Sequence, residues 1–140
     1  MSEFFSHLSI GWTAVLALQS YSIAGLQILI PMNIVLAFVG ALVGTVVGIL
    51  PGLGPVATIA MLLPATYGLS PLGGLIMLAG IYYGAQYGGS TTAILVNMPG
   101  ETSSAVTCLD GHQMAIKGHA GAALATAALA SFFAGTVATV

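Results

Sequence analysis

Charge is nearly absent from this sequence. Of 140 residues, one is basic and three are acidic, which is 3% of the chain, whereas about 25% of residues are charged in soluble domains. No Asp, Glu, Lys or Arg lies between Glu3 and Glu101. Because so few charged side chains cannot cover a water-facing surface, and 58% of the residues are hydrophobic, we predict a protein embedded in a lipid bilayer.

Other scarcities exclude whole classes of function. Lys117 is the only Lys or Arg, so the clustered positive charge of a nucleic-acid-binding surface is missing. The single Cys108 excludes an internal disulfide and a CxxC site. Cys108, Asp110, His112 and His119 are irregularly spaced and include no nucleophile–base pair. We therefore expect no metal site, no cofactor and no enzymatic activity.

The chain divides into two parts by composition. Residues 1–31 are apolar with interspersed polar residues, which is typical of an amphipathic helix at the membrane interface or of a first, weakly hydrophobic membrane segment. Residues 32–140 are predicted to form a transmembrane transporter domain. Its last apolar run, from Ala120 to Val140, ends without a polar cap, which indicates a domain incomplete at its C-terminus and the amino-terminal part of a longer permease.

Proline and glycine interrupt the apolar stretches. Met32 to Leu50 is the clearest membrane helix, and GILPGLGPVATIAMLLP (Gly48 to Pro64) breaks it. The apolar stretches Val56–Leu63 and Leu72–Gln86 are shorter than the ~20 residues that cross hydrocarbon. We therefore predict an all-α integral membrane protein with multiple transmembrane helices and Gly/Pro-broken half-helices or re-entrant segments, with helix ends at Pro51–Pro55 and Pro99–Gly100.

The polar segment Glu101–Gly121 is predicted to be an exposed loop. It holds Lys117 and two of the three histidines. Since positively charged loops favour the cytoplasmic side, we expect Glu101–His119 to face the cytoplasm.

Two glycine stripes occur at a spacing of four residues. This spacing places small residues on one face of a helix and lets the backbone of another helix approach closely. We assign these residues to helix packing: Gly40, Gly44, Gly48, Gly80, Gly84 and Gly88.

The two Gly/Pro breaks are the candidate substrate or ion site. Transporters use the ends of broken helices, with their unpaired N–H and C=O groups, to hold anions and cations within the membrane. In this hypothesis the N–H groups after Gly52, Gly54 and Gly100 contact carboxylate oxygens, while nearby hydroxyl and amide groups orient the substrate or bind a cation. The candidate residues are Pro51, Gly52, Gly54, Pro55, Thr58, Ser90, Thr91, Asn97, Pro99, Gly100, Thr102 and Ser103.

The region from Pro31 to about Leu124 also resembles a known family. Its ordered motifs are PGLGP, YYGAQYGGSTTAIL and a PGE tract followed by DGH. Together they are similar to the large membrane subunit of tripartite tricarboxylate transporters, the TctA family. One departure is the tract after DGH, where a more basic sequence is expected and Lys117 stands alone.

The resemblance implies a multi-pass secondary transporter of the bacterial inner membrane. Such a subunit imports a small di- or tricarboxylate, citrate-like in chemistry, with a periplasmic solute-binding protein and a small membrane subunit as partners. A sodium or proton gradient drives the uptake. The alternative is a non-transporting membrane scaffold subunit, in which the glycines serve packing alone.

Overall fold

The computed structural model describes residues 2–16, 19–23 and 26–139. In chain order the elements are the helix α1 (Ser2–Val15), the strands β1 (Gln19–Ile23) and β2 (Leu26–Ile30), and the helices α2 (Met32–Gly48) and α3 (Pro55–Leu62). A 3-10 turn (Leu63–Thr66) follows, then α4 (Pro71–Val96), α5 (Ala105–Met114), a π-helical turn (Ala115–His119) and α6 (Ala120–Thr139).

The N-terminal segment contains a helix and a hairpin. Helix α1 exposes large apolar side chains, with 67% of Trp12 accessible, and the buried Asn33 side chain donates to the Ala14 carbonyl at 2.6 Å. β1 and β2 pair antiparallel, Gln19 opposite Ile30. Residues 17, 18, 24 and 25 lie outside the described part of the chain. This hairpin departs from the predicted all-α fold, which otherwise agrees with the described residues.

Helices α2 and α4 form the centre of the packing. A Cβ at Gly48 would lie 2.5 Å from the Ala85 Cα, and one at Gly88 would lie 2.6 Å from the Thr45 carbonyl oxygen. All six predicted packing glycines meet backbone of the facing helix in this way. The two stripes therefore pack against each other, and each allows the other helix to approach.

The register of these contacts gives the direction of the helices. Gly40 faces Met77, Gly44 faces Ile81, and Gly48 faces Ala85, so residue numbers rise together along α2 and α4. The two helices run parallel, and α3 with its 3-10 turn carries the chain back between them. The apolar core is small and lies mainly on α4, with Ile81, Ala85, Ala93 and Ile94 at most 1% exposed.

Helix α2 ends two residues before the predicted Leu50 and is shorter than a hydrocarbon core. α2 has 17 residues, about 26 Å at 1.5 Å per residue, which is less than the ~30 Å of a hydrocarbon core. Over the described residues, one helical stretch, Ala105–Ala138, is long and apolar enough to cross a membrane by length and composition.

Two predictions of local structure are wrong. The predicted short stretch Leu72–Gln86 is part of α4, one continuous helix of 26 residues, in which the hydroxyls of Ser90 and Thr91 bond to carbonyls of the same helix. The segment predicted as a loop, Glu101–Gly121, is largely helical, and it bends at Gly118, where φ is +84°.

Candidate functional site

The first break is a tight turn between α2 and α3. The Leu53 N–H donates to the Leu50 carbonyl at 3.2 Å, with Pro51 and Gly52 at the two central positions. Gly52 has φ +84°, the conformation that the third residue of a type II turn requires and that glycine adopts without strain. The predicted helix end at Pro51–Pro55 is confirmed.

Helix α3 begins directly after this turn. Gly54 is its N-cap residue, with φ −69° and no side chain to accept a hydrogen bond, and Pro55 is its first helical residue. The first N–H groups of a helix have no partner within it, and Pro55 has no N–H at all. The free donors at this end are therefore the N–H groups of Val56 and Ala57, since Thr58 donates to the Gly54 carbonyl.

The second break folds back along α4. Asn97 ends that helix in the left-handed conformation, φ 59°, a common helix terminator. A Cβ at Gly100 would lie 2.7 Å from the Gly89 Cα, so the break passes α4 at backbone contact distance. This confirms the predicted helix end at Pro99–Gly100.

The two breaks, separated by more than 40 residues in the sequence, lie against each other. A Cβ at Gly54 would lie 3.7 Å from the Glu101 Cβ and 3.9 Å from the Gly100 carbonyl oxygen. A Cβ at Gly100 would lie 3.6 Å from the Gly48 carbonyl oxygen, and the first break directly follows α2. Both breaks therefore lie beside the end of α2. We call this place the break junction, formed by residues 51–55 and 99–104.

A hydrogen-bonded chain of side chains connects the break junction to α4. Gln86 donates through Nε2 to the Ser103 Oγ at 3.3 Å, and Ser103 donates to the Glu101 Oε1 at 2.6 Å. The Gln86 Oε1 is buried and has no hydrogen-bond partner among the described residues. Gln86 and Glu101 are absent from the candidates predicted from sequence, although Glu101 is the first charged residue after Glu3.

The N–H groups predicted to bind substrate are not free. The one after Gly52 belongs to Leu53 and closes the turn, the residue after Gly54 is a proline, and the one after Gly100 donates to the Ser104 Oγ at 3.2 Å. The free donors lie one and two residues further, on Val56 and Ala57. Ser104 thereby bonds to the Glu101 backbone and provides no side-chain cap for α5.

Several predicted hydroxyl groups bond within their own helices. Thr58 is fully buried and donates to the Gly54 carbonyl at 3.1 Å. Ser90 donates to the Gln86 carbonyl and Thr91 to that of Gly88. Because each hydroxyl already donates its proton to a carbonyl, it could contact a ligand only as a hydrogen-bond acceptor or through an oxygen lone pair. Ser103 and Gly100 belong to the break junction, whereas Asn97 is exposed at the end of α4.

A second concave region lies between α4, α5 and α6. It encloses about 300 Å³ and is lined mostly by apolar side chains, with Asp110 as its charged member. The His112 ring Nδ1 lies 2.9 Å from the Ile94 carbonyl oxygen and joins α5 to α4. Among the described residues no three His, Cys, Asp or Glu side chains are grouped to hold a metal ion. A carboxylate would meet no cationic side chain in this region.

Comparison with known proteins gives a consistent result. The model of the tripartite tricarboxylate transporter TctA family matches residues 34–140. An uncharacterized 52.8 kDa protein in the TAR-I ttuC' 3'region of Agrobacterium vitis is 62% identical over 139 residues, covering 99% of this chain and 25% of that protein. The chain thus spans about a quarter of the length of this relative. No solved structure matches the chain.

The family match bears on the predicted activity and on the identity of the chain. TctA proteins are membrane transporters and not enzymes, which agrees with the predicted lack of enzymatic activity. The matched region runs from the third residue of α2 through α6 and includes both breaks. From the glycine stripes, the two breaks and this match, the chain belongs to the tripartite tricarboxylate transporter TctA family.

Proposed function

We propose that this chain contributes part of the substrate site of a secondary transporter that imports a small di- or tricarboxylate across the bacterial inner membrane. The observation that carries the proposal is the break junction, where a Cβ at Gly54, the N-cap of α3, would lie within 4 Å of the second break. A helix N-terminus carries roughly half a positive charge. The N–H groups of Val56 and Ala57 would bind a substrate carboxylate there without any Arg or Lys.

The candidate residues keep different roles in this proposal. Pro51, Gly52 and Pro55 shape the turn and the start of α3, while Gly54 and Gly100 leave space between the two breaks. Ser103 and Thr102 line the exposed side. Thr58, Ser90 and Thr91 bond to the surrounding backbone, Asn97 and Pro99 form the end of α4 and the start of the second break, and the oxygens of Ser90, Thr91 and Asn97 would orient a substrate or bind a cation.

The complete system would include partners beyond this chain. We propose a periplasmic solute-binding protein that delivers the carboxylate, a small membrane subunit, and a sodium or proton gradient as the energy source. The alternative, a non-transporting scaffold subunit, accounts for the two glycine stripes. It does not require the close approach of the two helix breaks.

Uptake by the complete complex separates the two functions. Vesicles containing the full-length subunit with its two partners should accumulate labelled citrate when a sodium or proton gradient is imposed, and should lose this accumulation when the gradient is dissipated. Vesicles with an assembled complex that never accumulates citrate or another small carboxylate under either gradient would favour the scaffold.

The orientation in the membrane gives a separate prediction. With Glu101–His119 in the cytoplasm, a cysteine at the exposed Gln113, in a chain with Cys108→Ser, should resist an impermeant maleimide added outside intact cells. It should react once the inner membrane is made permeable. Rapid labelling of Gln113→Cys from the periplasm of intact cells would contradict the cytoplasmic assignment.

A further inference from the structure

Glu101 is the ionisable side chain of the break junction. It is half-buried, and over the described residues the structure shows one side chain bonded to its carboxylate, the hydroxyl of Ser103. The only Lys or Arg of the sequence is Lys117, on the turn after α5. Among the described residues, the carboxylate of Glu101 is therefore shown with a hydroxyl partner and no cationic one.

The hydrogen bonds among Gln86, Ser103 and Glu101 leave two side-chain oxygen atoms without a hydrogen-bond donor. Ser103 gives its one proton to Glu101 and receives one from the Gln86 Nε2. Within the described part of the chain, the Gln86 Oε1 is buried and unpartnered, and the second carboxylate oxygen of Glu101 receives no hydrogen bond that the structure shows. A buried acceptor left without a donor calls for an explanation, and a bound ion is one.

These groups suit a hard cation of a single charge. Carboxylate and amide oxygens are the ligands that hard cations take. One carboxylate with neutral oxygens balances one positive charge, and a monovalent cation therefore leaves the site neutral. The absence of thiolate and imidazole groups from the break junction disfavours a transition metal.

The position of Glu101 also links the cation to the anion. Its Cβ lies near Gly54, the N-cap of α3, so an ionised Glu101 repels a carboxylate bound at that helix start. A cation at Glu101 removes the repulsion. By linkage, each ligand then raises the affinity for the other by the same factor.

We propose that Glu101 and the Gln86 amide oxygen, with the Ser103 hydroxyl, form a sodium site that neutralises the break junction and couples cation binding to carboxylate binding. The coupling part rests on the proposed transport function. The sodium site itself does not, and it is tested without any carboxylate present.

The test measures equilibrium binding of ²²Na⁺ alone to the purified complete complex. Wild type should bind sodium saturably, Glu101→Gln should weaken the binding at least about tenfold, and Glu101→Asp should recover part of it because the charge is restored. Gln86→Leu should also weaken binding by removing the amide oxygen. Asp110→Asn, which changes an exposed carboxylate on α5, is the matched control and should bind sodium as wild type does.

Two results would overturn the sodium site: an assembled wild-type complex that binds no sodium, or a Glu101→Gln complex that binds it with wild-type affinity. Failure of the transport function is recognised separately. In that case the complex moves no carboxylate into vesicles, while Glu101-dependent sodium binding persists.

Discussion

Gly44→Val should remove most of the assembled protein from the membrane. A Cβ at this position would lie 2.7 Å from the Ile81 Cα and closer still to the Ile81 carbonyl oxygen, and backbone cannot move aside as the end of a side chain can. Overpacking of a tight interface typically costs about 1–3 kcal/mol and more where backbone must shift. We expect a cost at or above the top of that range, because α2 and α4 would have to separate.

The matched control is Gly121→Val, also in a helix. A Cβ at Gly121 would meet no atom within 4 Å in the described part of the chain, so its assembly should stay near wild type. Quantitative immunoblots of membranes, with size-exclusion of the solubilised complex, measure both variants. Wild-type amounts of assembled Gly44→Val would show that the close approach of α2 and α4 is not required.

Gly54→Val should instead abolish uptake while leaving assembly nearly intact. Gly54 has φ −69°, which any residue adopts, and a single Cβ there makes only ordinary contacts with the second break. The larger valine side chain would enter the space between α3 and Glu101, where we propose that the carboxylate binds. Uptake per assembled complex should fall by more than about 100-fold, equivalent to ~2.7 kcal/mol.

Gly68→Val is the control for this variant. Gly68 is exposed, and a Cβ there would meet nothing within 4 Å; its uptake per complex should match wild type. Normal uptake per complex by Gly54→Val would mean that the first break is only a structural turn. The site would then have to be sought around Ser90 to Asn97.

Local signals predicted the breaks and the glycine stripes. Proline and glycine act on their own backbone, so the turn at Pro51–Gly52 and the end of α4 before Pro99 follow from the residues at those positions. The stripes predicted close approach to some helix. That the two stripes pack against each other depends on the tertiary structure, which the four-residue spacing of the glycines does not determine.

The continuity of α4 was missed because its polar residues have local partners. The hydroxyls of Ser90, Thr91 and Thr92 bond to carbonyls three or four residues earlier in the same helix. Such bonds let hydroxyl side chains remain inside a helix. A run of polar residues on an apolar background therefore does not by itself end a helix.

The hairpin was missed for a different reason. Ser20 and Ser22 alternate with Tyr21 and Ile23, a period of two that favours a strand, but each strand has only five residues. Within the longer apolar segment, so short an alternation does not by itself predict a hairpin.

The approach of the two breaks, and with it the importance of Glu101 and Gln86, depends on long-range packing. Sequence separation hides the contact between Gly54 and Glu101, and no pattern marks Gln86 as an unpaired acceptor. The signal available was the position of Glu101 as an isolated charge after a long uncharged stretch.

Substrate protection at the break junction tests the central claim most directly. Ser103→Cys, in a chain with Cys108→Ser, places a thiol of similar size at an exposed position of the junction, and Gly68→Cys serves as the distant control. In the purified complete complex, citrate at about ten times its dissociation constant occupies roughly nine-tenths of the sites. It should therefore slow maleimide labelling at residue 103 about tenfold and leave labelling at residue 68 unchanged. Equal labelling rates at residue 103 with and without citrate, in a complex that transports citrate, would contradict a transport site at the break junction.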